Sequence, residues 1–200
     1  LSGFSQVEYE SLNLNNVNAL LSNGGVFFND TDAGSPGYEV PKGSGNNGIY
    51  SMSFWFGGED INGQRKIAAT TYEQEGDFFP GALTVTGAAT LPIEEEATKK
   101  IYSVSQDQID YHIANYDDVD YVIPNVILNW PAHGDPSYDL AFYLAPFEDV
   151  DGDGIYDPTL GDYPIIKGDQ AVFMIMNDKG DIHASGADPI GLEIHLLFYQ

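Results

Sequence analysis

The segment Glu148–Asp162, EDVDGDGIYDPTLGD, carries the most specific pattern in this sequence. Asp149, Asp151 and Asp153 occupy alternate positions, and Gly154 follows directly. Ca²⁺ binds six to eight oxygen ligands at about 2.3–2.6 Å, and a curved loop with acidic residues at positions 1, 3 and 5 supplies side-chain oxygens at that density. A glycine at position 6 permits the sharp backbone reversal that such a loop needs. The pattern predicts a calcium-binding loop.

Further predicted ligands follow the glycine. Ile155, at position 7, would contribute its backbone carbonyl, which leaves its apolar side chain free to enter a core, and Asp157, at position 9, would bind directly or through water. Position 12, a bidentate Glu in an EF-hand, is Leu160 here, and Pro158 stands where an exiting helix would form. We therefore expect a turn after the loop, with Asp162 supplying the missing carboxylate.

In this respect the loop resembles the calcium loops of thrombospondin type 3 repeats, which are not flanked by two helices. The predicted metal ligands are Asp149, Asp151, Asp153, Ile155, Asp157 and Asp162, with Glu148 as a weaker candidate. The alternative is a solvated acidic turn, because Asp-Gly pairs are common in turns. Three alternating aspartates, a glycine and a fourth aspartate in register favour calcium as the cofactor.

Charge and composition exclude several classes of function. The 200 residues include 31 acidic and 7 basic side chains, and the formal net charge of −24 repels nucleic acid and anionic membrane surfaces. The absence of cysteine excludes disulfides, thiolate zinc sites and cysteine nucleophiles. The hydrophobic content of 42% and aromatic content of 13% favour a packed core over disorder. No apolar run approaches the roughly eighteen residues of a membrane helix, so direct membrane insertion is not expected.

Alternating apolar residues predict a mainly β fold, an antiparallel β-sandwich-like domain with long loops and one or two short helices. The predicted strands are Val26–Phe28, a hairpin of residues 49–57 and Arg65–Tyr72 around the Asn62-Gly63 turn, Leu83–Thr86, Asp139–Leu144, Gln170–Met176 and Leu192–Tyr199. Residues 29–48, rich in Gly, Pro, Asn and Ser, predict a long irregular loop. We expect residues 1–200 to form a single module, and a final strand without a following turn suggests an excerpt of a longer multi-domain chain.

Two segments carry helix signals. Residues 12–24 place Val17, Leu20 and Leu21 on one helical face and end at a glycine, which predicts a short helix. Ser105 precedes Gln108 by three residues, a capping-box spacing, and it is followed by a helical apolar face that consists of Ile109, His112, Ile113 and Tyr116.

The chain also resembles the N-terminal regions of large Bacteroidetes surface proteins exported by the type IX secretion system. The segments that carry this resemblance are YEVPKGSG at 38–45, FWFGGEDINGQ at 54–64, AATTYEQEGDFFPGAL at 68–83, LNWPAHGD at 128–135, YLAPFEDVDGDGIYDPTLGDYPIIKGDQ at 143–170 and DPIGLEIHLLFYQ at 188–200. The resemblance implies an extracellular, cell-surface location, an adhesin or filament role and a C-terminal sorting domain outside this excerpt. It assigns no catalytic residue.

Other candidate site residues have structural alternatives. His112 is expected to be a hydrogen-bonded core histidine, and His133 to fix a loop. Glu193 lies in an apolar strand, where burial would raise its pKa, unless it faces solvent or pairs with Lys167. Four aromatic residues could form a platform for sugar rings, although such residues more often fill a β core: Trp55, Trp130, Tyr38 and Tyr163.

Neither the residues nor the resemblance predicts a catalytic site, and the sequence lacks the G-x-S-x-G, phosphate-loop and H-E-x-x-H motifs. The leading hypothesis is a non-enzymatic, calcium-stabilised structural or adhesive module of a secreted surface protein or filament. The alternative is a glycan-binding or glycan-hydrolysing domain with structural calcium. The expected partners are further copies of the chain, through open strand edges, or cell-surface glycans or proteins.

Overall fold

The computed structural model describes residues 7–70, 76–90 and 96–200. Within these ranges the protein is mainly β, and every pairing between its strands is antiparallel, as the sequence predicted. The strands are β1 (Tyr9–Leu12), β2 (Asn18–Ser22), β3 (Val26–Phe27), β4 (Asn29–Asp30), β5 (Ser35–Pro36), β6 (Tyr38–Glu39), β7 (Asn47–Ile49), β8 (Met52–Ser53), β9 (Trp55–Glu59), β10 (Arg65–Ala69), β11 (Phe79–Pro80), β12 (Tyr102–Ser105), β13 (Phe147–Glu148), β14 (Tyr163–Pro164), β15 (Gln170–Asn177) and β16 (Glu193–Tyr199). The helices are α1 (Gln106–Asn115) and α2 (Asn125–Leu128), and 3₁₀ turns occupy Glu96–Lys99, Pro136–Tyr138 and Pro158–Leu160.

Strand β15 is the centre of the fold. Every residue of its sequence QAVFMIMN after the first is buried. Burial on both faces of the strand explains why residues 171–176 are all apolar and do not alternate with polar residues. β16 pairs along one edge of β15, from Ala171↔Tyr199 to Asn177↔Glu193. β12 and β11 share the other edge. β15 and β16 correspond to the predicted strands Gln170–Met176 and Leu192–Tyr199, whereas β11 and β12 were not predicted.

The two faces of β15 serve two separate cores, because successive side chains of a strand point to opposite faces. Phe173 and Ile175 enter one core with the buried apolar residues of β12, α1, α2 and the segment that follows α2. Val172, Met174 and Met176 enter the other core with residues of the N-terminal strands. The segment Glu148–Asp162, here called the acidic loop, lies next to the first core, because Phe147, Tyr156 and Tyr163 pack against that core.

The second core is enclosed by a second sheet with the order β1-β2-β6-β7, so on this side the protein is sandwich-like. The predicted helix over residues 12–24 is wrong. This segment contains the last residue of β1, Leu12, and the whole of β2. Ala19 and Leu21 are buried while Leu20 is half-buried, an alternation that fits a strand on a core. Pairing of β1 with β2, from Tyr9↔Ser22 to Leu12↔Ala19, overrides the helical spacing.

The predicted hairpin is confirmed as β9 and β10, which pair from Arg65↔Glu59 to Ala69↔Trp55. The carboxylate of Asp60 fixes the turn by accepting hydrogen bonds from the N–H groups of Asn62 and Gln64. Residues 71–72 of the predicted return strand lie outside the described residues.

Three other predictions need correction. The long loop at 29–48 contains four short strands, β4 to β7. The predicted strand Asp139–Leu144 is wrong, because Asp139 ends a 3₁₀ turn at φ 59° and the segment makes only isolated bridges, Thr84↔Leu140 and His133↔Tyr143. Leu83–Thr86 likewise forms single-residue bridges in place of a strand.

Helix α1 begins as predicted, since Ser105 and Gln108 form a complete capping box. Ile109 and His112 of this helix are buried, whereas Ile113 is 42% exposed. Across the described ranges, no helix combines the length and the apolar character that crossing a bilayer requires.

Candidate metal centre

The acidic loop is closed at its base by the ladder between β13 and β14, with Phe147↔Pro164 and Glu148↔Tyr163 as partners. Just inside this ladder, the fully buried carboxylate of Asp162 accepts hydrogen bonds from Val150 N–H and Asp157 N–H, both at 2.8 Å. One side chain therefore holds the two ends of the loop together.

Within the loop, Asp149 organises the turn. Its Oδ1 accepts hydrogen bonds from Gly152 N–H at 2.7 Å and Asp153 N–H at 3.2 Å, and its Oδ2 accepts one from Gly154 N–H at 2.7 Å. Gly154 adopts φ +84°, a conformation that residues with a Cβ rarely take. The predicted glycine reversal is therefore present.

The turn brings three carboxylates together. Asp149, Asp151 and Asp153 each offer an oxygen, and these oxygens all lie within 4.8 Å of one another. Two oxygens that bind one Ca²⁺ at about 2.3–2.6 Å are separated by at most about 4.6–5.2 Å. Asp151 and Asp153 are exposed and Asp149 is half-buried, so the group is open to solvent. These three residues could hold a metal ion.

The charges in this group act on one another. The N–H of Gly154 is the main contact that lowers the pKa of Asp149. The hydrogen bond from Asp153 N–H lowers the pKa of Asp151, but desolvation and the charges of Asp153 and Asp149 together raise it above its usual value. Adjacent carboxylates therefore resist simultaneous ionisation, and a bound cation would relieve this repulsion.

The structure uses the other predicted ligands differently. Asp157 caps the 3₁₀ turn Pro158–Leu160, because its Oδ1 accepts hydrogen bonds from Thr159 N–H and Oγ1–H at 2.9 and 2.6 Å. Neither Asp157 nor Asp162 belongs to the three-carboxylate group. Their roles as ligands, like that of the Ile155 carbonyl, stay predictions. The turn after the loop is present as expected.

The residue that anchors the loop in the core is Tyr156. The side chain of Ile155 is 47% exposed, so the expectation that it enters a core is wrong. The Tyr156 ring instead packs against Phe147 at 5.3 Å, and its hydroxyl donates a hydrogen bond to the carbonyl of Ile127 at 2.6 Å. Burial, with the nearby charge of Asp162, raises the pKa of Tyr156. The loop is thereby fixed to helix α2.

Two histidines connect the loop to other elements. The ring of His133 accepts a hydrogen bond from Tyr156 N–H through Nε2 at 2.8 Å and donates through Nδ1 to Phe142 O at 3.1 Å. His112 is fully buried, donates from Nε2 to Asp162 O at 3.0 Å and accepts at Nδ1 from Tyr121 O–H at 3.2 Å. Burial lowers the pKa of His112. The core role of His112 and the loop-fixing role of His133 are both confirmed.

Glu193 pairs with His195, two residues further along the same strand. Its Oε2 accepts a hydrogen bond from Leu83 N–H at 2.5 Å, and its Oε1 lies 2.6 Å from His195 Nε2. Of the alternatives for Glu193, pairing with Lys167 is not found: the carboxylate contacts His195, and the Lys167 ammonium lies over the ring of Tyr199, 5.9 Å from its centroid.

The aromatic residues singled out in the sequence are dispersed. Trp130 is buried in the first core and donates its indole N–H to Pro146 O at 3.0 Å. Trp55 is 71% exposed and donates to Thr70 O at 2.9 Å, while Tyr38 and Tyr163 are half-buried. Tyr143, which the sequence did not single out, lies next to the acidic loop and is 63% exposed. No local sequence signal marked it, since its position depends on the fold.

An open pocket of about 420 Å³ lies beside the loop. Its walls include Tyr143, Phe147, Asp149 and Gly154, so an exposed aromatic ring and one of the three clustered carboxylates share the same depression. No protein-family model, curated protein or solved structure matches this chain.

Proposed function

We propose that this chain is a non-enzymatic, calcium-stabilised module of a secreted cell-surface protein or filament, with a structural or adhesive role. The observation that supports it is the convergence of Asp149, Asp151 and Asp153 within 4.8 Å in a loop that is already folded by internal hydrogen bonds. Carboxylate oxygens without histidine or cysteine suit a hard cation such as Ca²⁺.

Calcium would act chiefly on stability. Three carboxylates at this spacing repel one another, and a cation between them removes that repulsion only in the folded loop, since the group is assembled by folding. If Ca²⁺ binds only the folded state, a free Ca²⁺ concentration a hundred times the Kd raises the free energy of unfolding by about 2.7 kcal/mol. Because the loop is hydrogen-bonded to helices α1 and α2 through His112 and Tyr156, stiffening would extend into the first core.

Calorimetric titration of the metal-free protein with CaCl₂, alongside thermal unfolding with and without EDTA, tests this proposal. We expect saturable binding and a lower melting temperature in EDTA. The double variant Asp151→Ala/Asp153→Ala should lose both responses. The control Asp117→Ala/Asp118→Ala removes the same charge from an exposed turn and should keep them. Wild-type protein without binding heat and with an unchanged melting curve would refute calcium binding.

The location and the export route are proposals of their own. They are supported by the charge of −24 and by the resemblance to proteins exported by the type IX secretion system. Antibody labelling of intact native cells, with and without external protease, tests surface location. Signal from intact cells that disappears after protease treatment is expected, and protein found only after lysis would contradict it.

The pocket beside the loop supports a second candidate, a glycan-binding surface that uses calcium. The exposed ring of Tyr143 could stack on a sugar, and a calcium ion at Asp149 would lie at the wall of the same pocket. A carbohydrate array probed with and without EDTA tests it. Binding that requires calcium and is lost in Tyr143→Ala, but is kept in Tyr111→Ala, would favour this function. Tyr111 is a matched control because it is 61% exposed and outside the pocket.

A further inference from the structure

A second cluster of buried ionisable residues lies away from the acidic loop, around His183. This side chain is 3% exposed. Its Nδ1 lies 2.8 Å from the carbonyl oxygen of Ile67 in β10, and its Nε2 lies 2.6 Å from the carbonyl oxygen of Asp178. A carbonyl oxygen can only accept a hydrogen bond, and a neutral imidazole has only one N–H to donate. Both contacts are satisfied only when both ring nitrogens carry a proton.

A buried carboxylate faces the same ring. Asp77 has a fully buried side chain, and its Oδ2 lies 3.5 Å from His183 Nδ1. The carboxylate also accepts hydrogen bonds from Ser185 Oγ–H at 2.7 Å, Ser185 N–H at 3.1 Å and Ala69 N–H at 2.9 Å. Desolvation raises the pKa of Asp77, but these hydrogen bonds and the charge of His183 outweigh it and leave the pKa below its usual value. Asp77 is therefore the negative partner of the ring.

The other charged groups near the ring have partners of their own. The Asp178 carboxylate accepts hydrogen bonds from the N–H groups of Ile190, Gly191 and Leu192. Lys66, next to Ile67, pairs with Asp188 at 3.0 Å. On the segment of His183 itself, Lys179 donates to Gly87 O and Asp181 accepts from Ile182 N–H. From β11, the ring of Phe79 packs against His183 at 6.4 Å.

We infer that His183 is an imidazolium in the folded protein and forms, with Asp77, a buried ionic clamp between strand β10 and the segment 178–192. One N–H binds the strand, the other binds the start of the segment, and Asp77 binds Ser185 in its middle. If the ring loses a proton, one carbonyl faces a lone pair and Asp77 lacks its counter-charge, which is costly in a buried site.

Nitrogen-15 NMR of the wild-type protein tests the assignment without any mutation. Two-bond ring correlations at about pH 7 should show both nitrogens of His183 protonated. His112 and His133 are internal references, because each donates through one ring nitrogen and accepts through the other. Each should show one protonated and one bare nitrogen. A bare ring nitrogen in His183 at this pH would overturn the inference.

Two further measurements test the clamp. Asp77→Asn should remove one ring proton from His183 at a pH where wild type keeps both, whereas Asp188→Asn, which breaks only the partly exposed pair with Lys66, should not. At about pH 7, hydrogen exchange at Ile190, Gly191 and Leu192 should be faster in Asp77→Asn than in Asp188→Asn, through local opening below global unfolding. Equal protection in the two variants would overturn the clamp, and the assignment of the ring nitrogens in wild type needs no variant to fold.

Discussion

His133 Nε2 accepts a hydrogen bond from the backbone N–H of Tyr156 at 2.8 Å, across 23 residues of sequence. This N–H belongs to the peptide unit whose carbonyl is that of Ile155. In a planar trans peptide the N–H and C=O groups point in opposite directions, so fixing one fixes the other. The imidazole therefore sets the orientation of a carbonyl that the sequence predicts as a calcium ligand.

His133→Ala should weaken calcium binding about fivefold, because one hydrogen bond contributes about 1 kcal/mol. Titration calorimetry at constant pH measures the change. His195→Ala, a histidine on the edge strand β16, is the matched control and should leave the affinity unchanged. Equal affinities for wild type and His133→Ala would remove His133 from this role.

Asp162→Ala should destabilise the protein by about 2–4 kcal/mol even without calcium, since it leaves the N–H groups of Val150 and Asp157 without their acceptor. Asp151→Ala removes an exposed carboxylate of the metal group, so it should abolish the calcium response with little effect on the metal-free stability. Urea unfolding in EDTA and in CaCl₂ separates the two effects. Similar metal-free stabilities for both variants would contradict the loop-closing role of Asp162.

Met174→Ala should cost about 2–5 kcal/mol, because Met174 is fully buried on the central strand β15 and its truncation leaves a cavity in the second core. Met52→Ala offers a chemically matched control, since Met52 is 37% exposed. Its cost should stay well below that of Met174→Ala in chemical denaturation. If both variants lose the same stability, β15 is not the centre of the core.

Ser105→Ala should destabilise by about 1 kcal/mol, because it removes the side-chain acceptor for Gln108 N–H at the start of α1. Ser105→Asp keeps an acceptor at this position and should recover most of the loss. Thermal unfolding of the three proteins checks the order. An alanine variant as stable as wild type would show that tertiary packing alone holds the helix.

Asp77 should make the protein sensitive to acid. Its pKa in the folded state is below the ordinary value of about 3.9, so the unfolded state binds more protons in acid. The contribution of Asp77 to the free energy of unfolding is complete above its pKa in the unfolded state. That contribution is lost as the pH falls through its pKa in the folded state. The stability difference between wild type and Asp77→Asn should therefore shrink from about pH 6 to about pH 3 in urea unfolding.

Local sequence determined the elements whose signals lie within a few residues. The strand Gln170–Asn177 is apolar at most positions, the hairpin has period-two strands around a turn, and helix α1 has a capping box. The convergence of Asp149, Asp151 and Asp153 is equally local, because alternating aspartates around Gly152 and Gly154 meet whenever the backbone turns there. Each of these features follows from the conformational preferences of one short segment.

Tertiary structure decided what depends on distant pairing. Residues 12–24 have helical spacing, yet β1 and β2 pair because two sheets can then enclose the second core. His183 meets Asp77 and Ile67 across more than a hundred residues, and Tyr156 meets His133 and Ile127, so neither cluster has a local signal. A buried N–H, carbonyl or carboxylate needs a partner wherever the fold places one, and that need fixed these contacts.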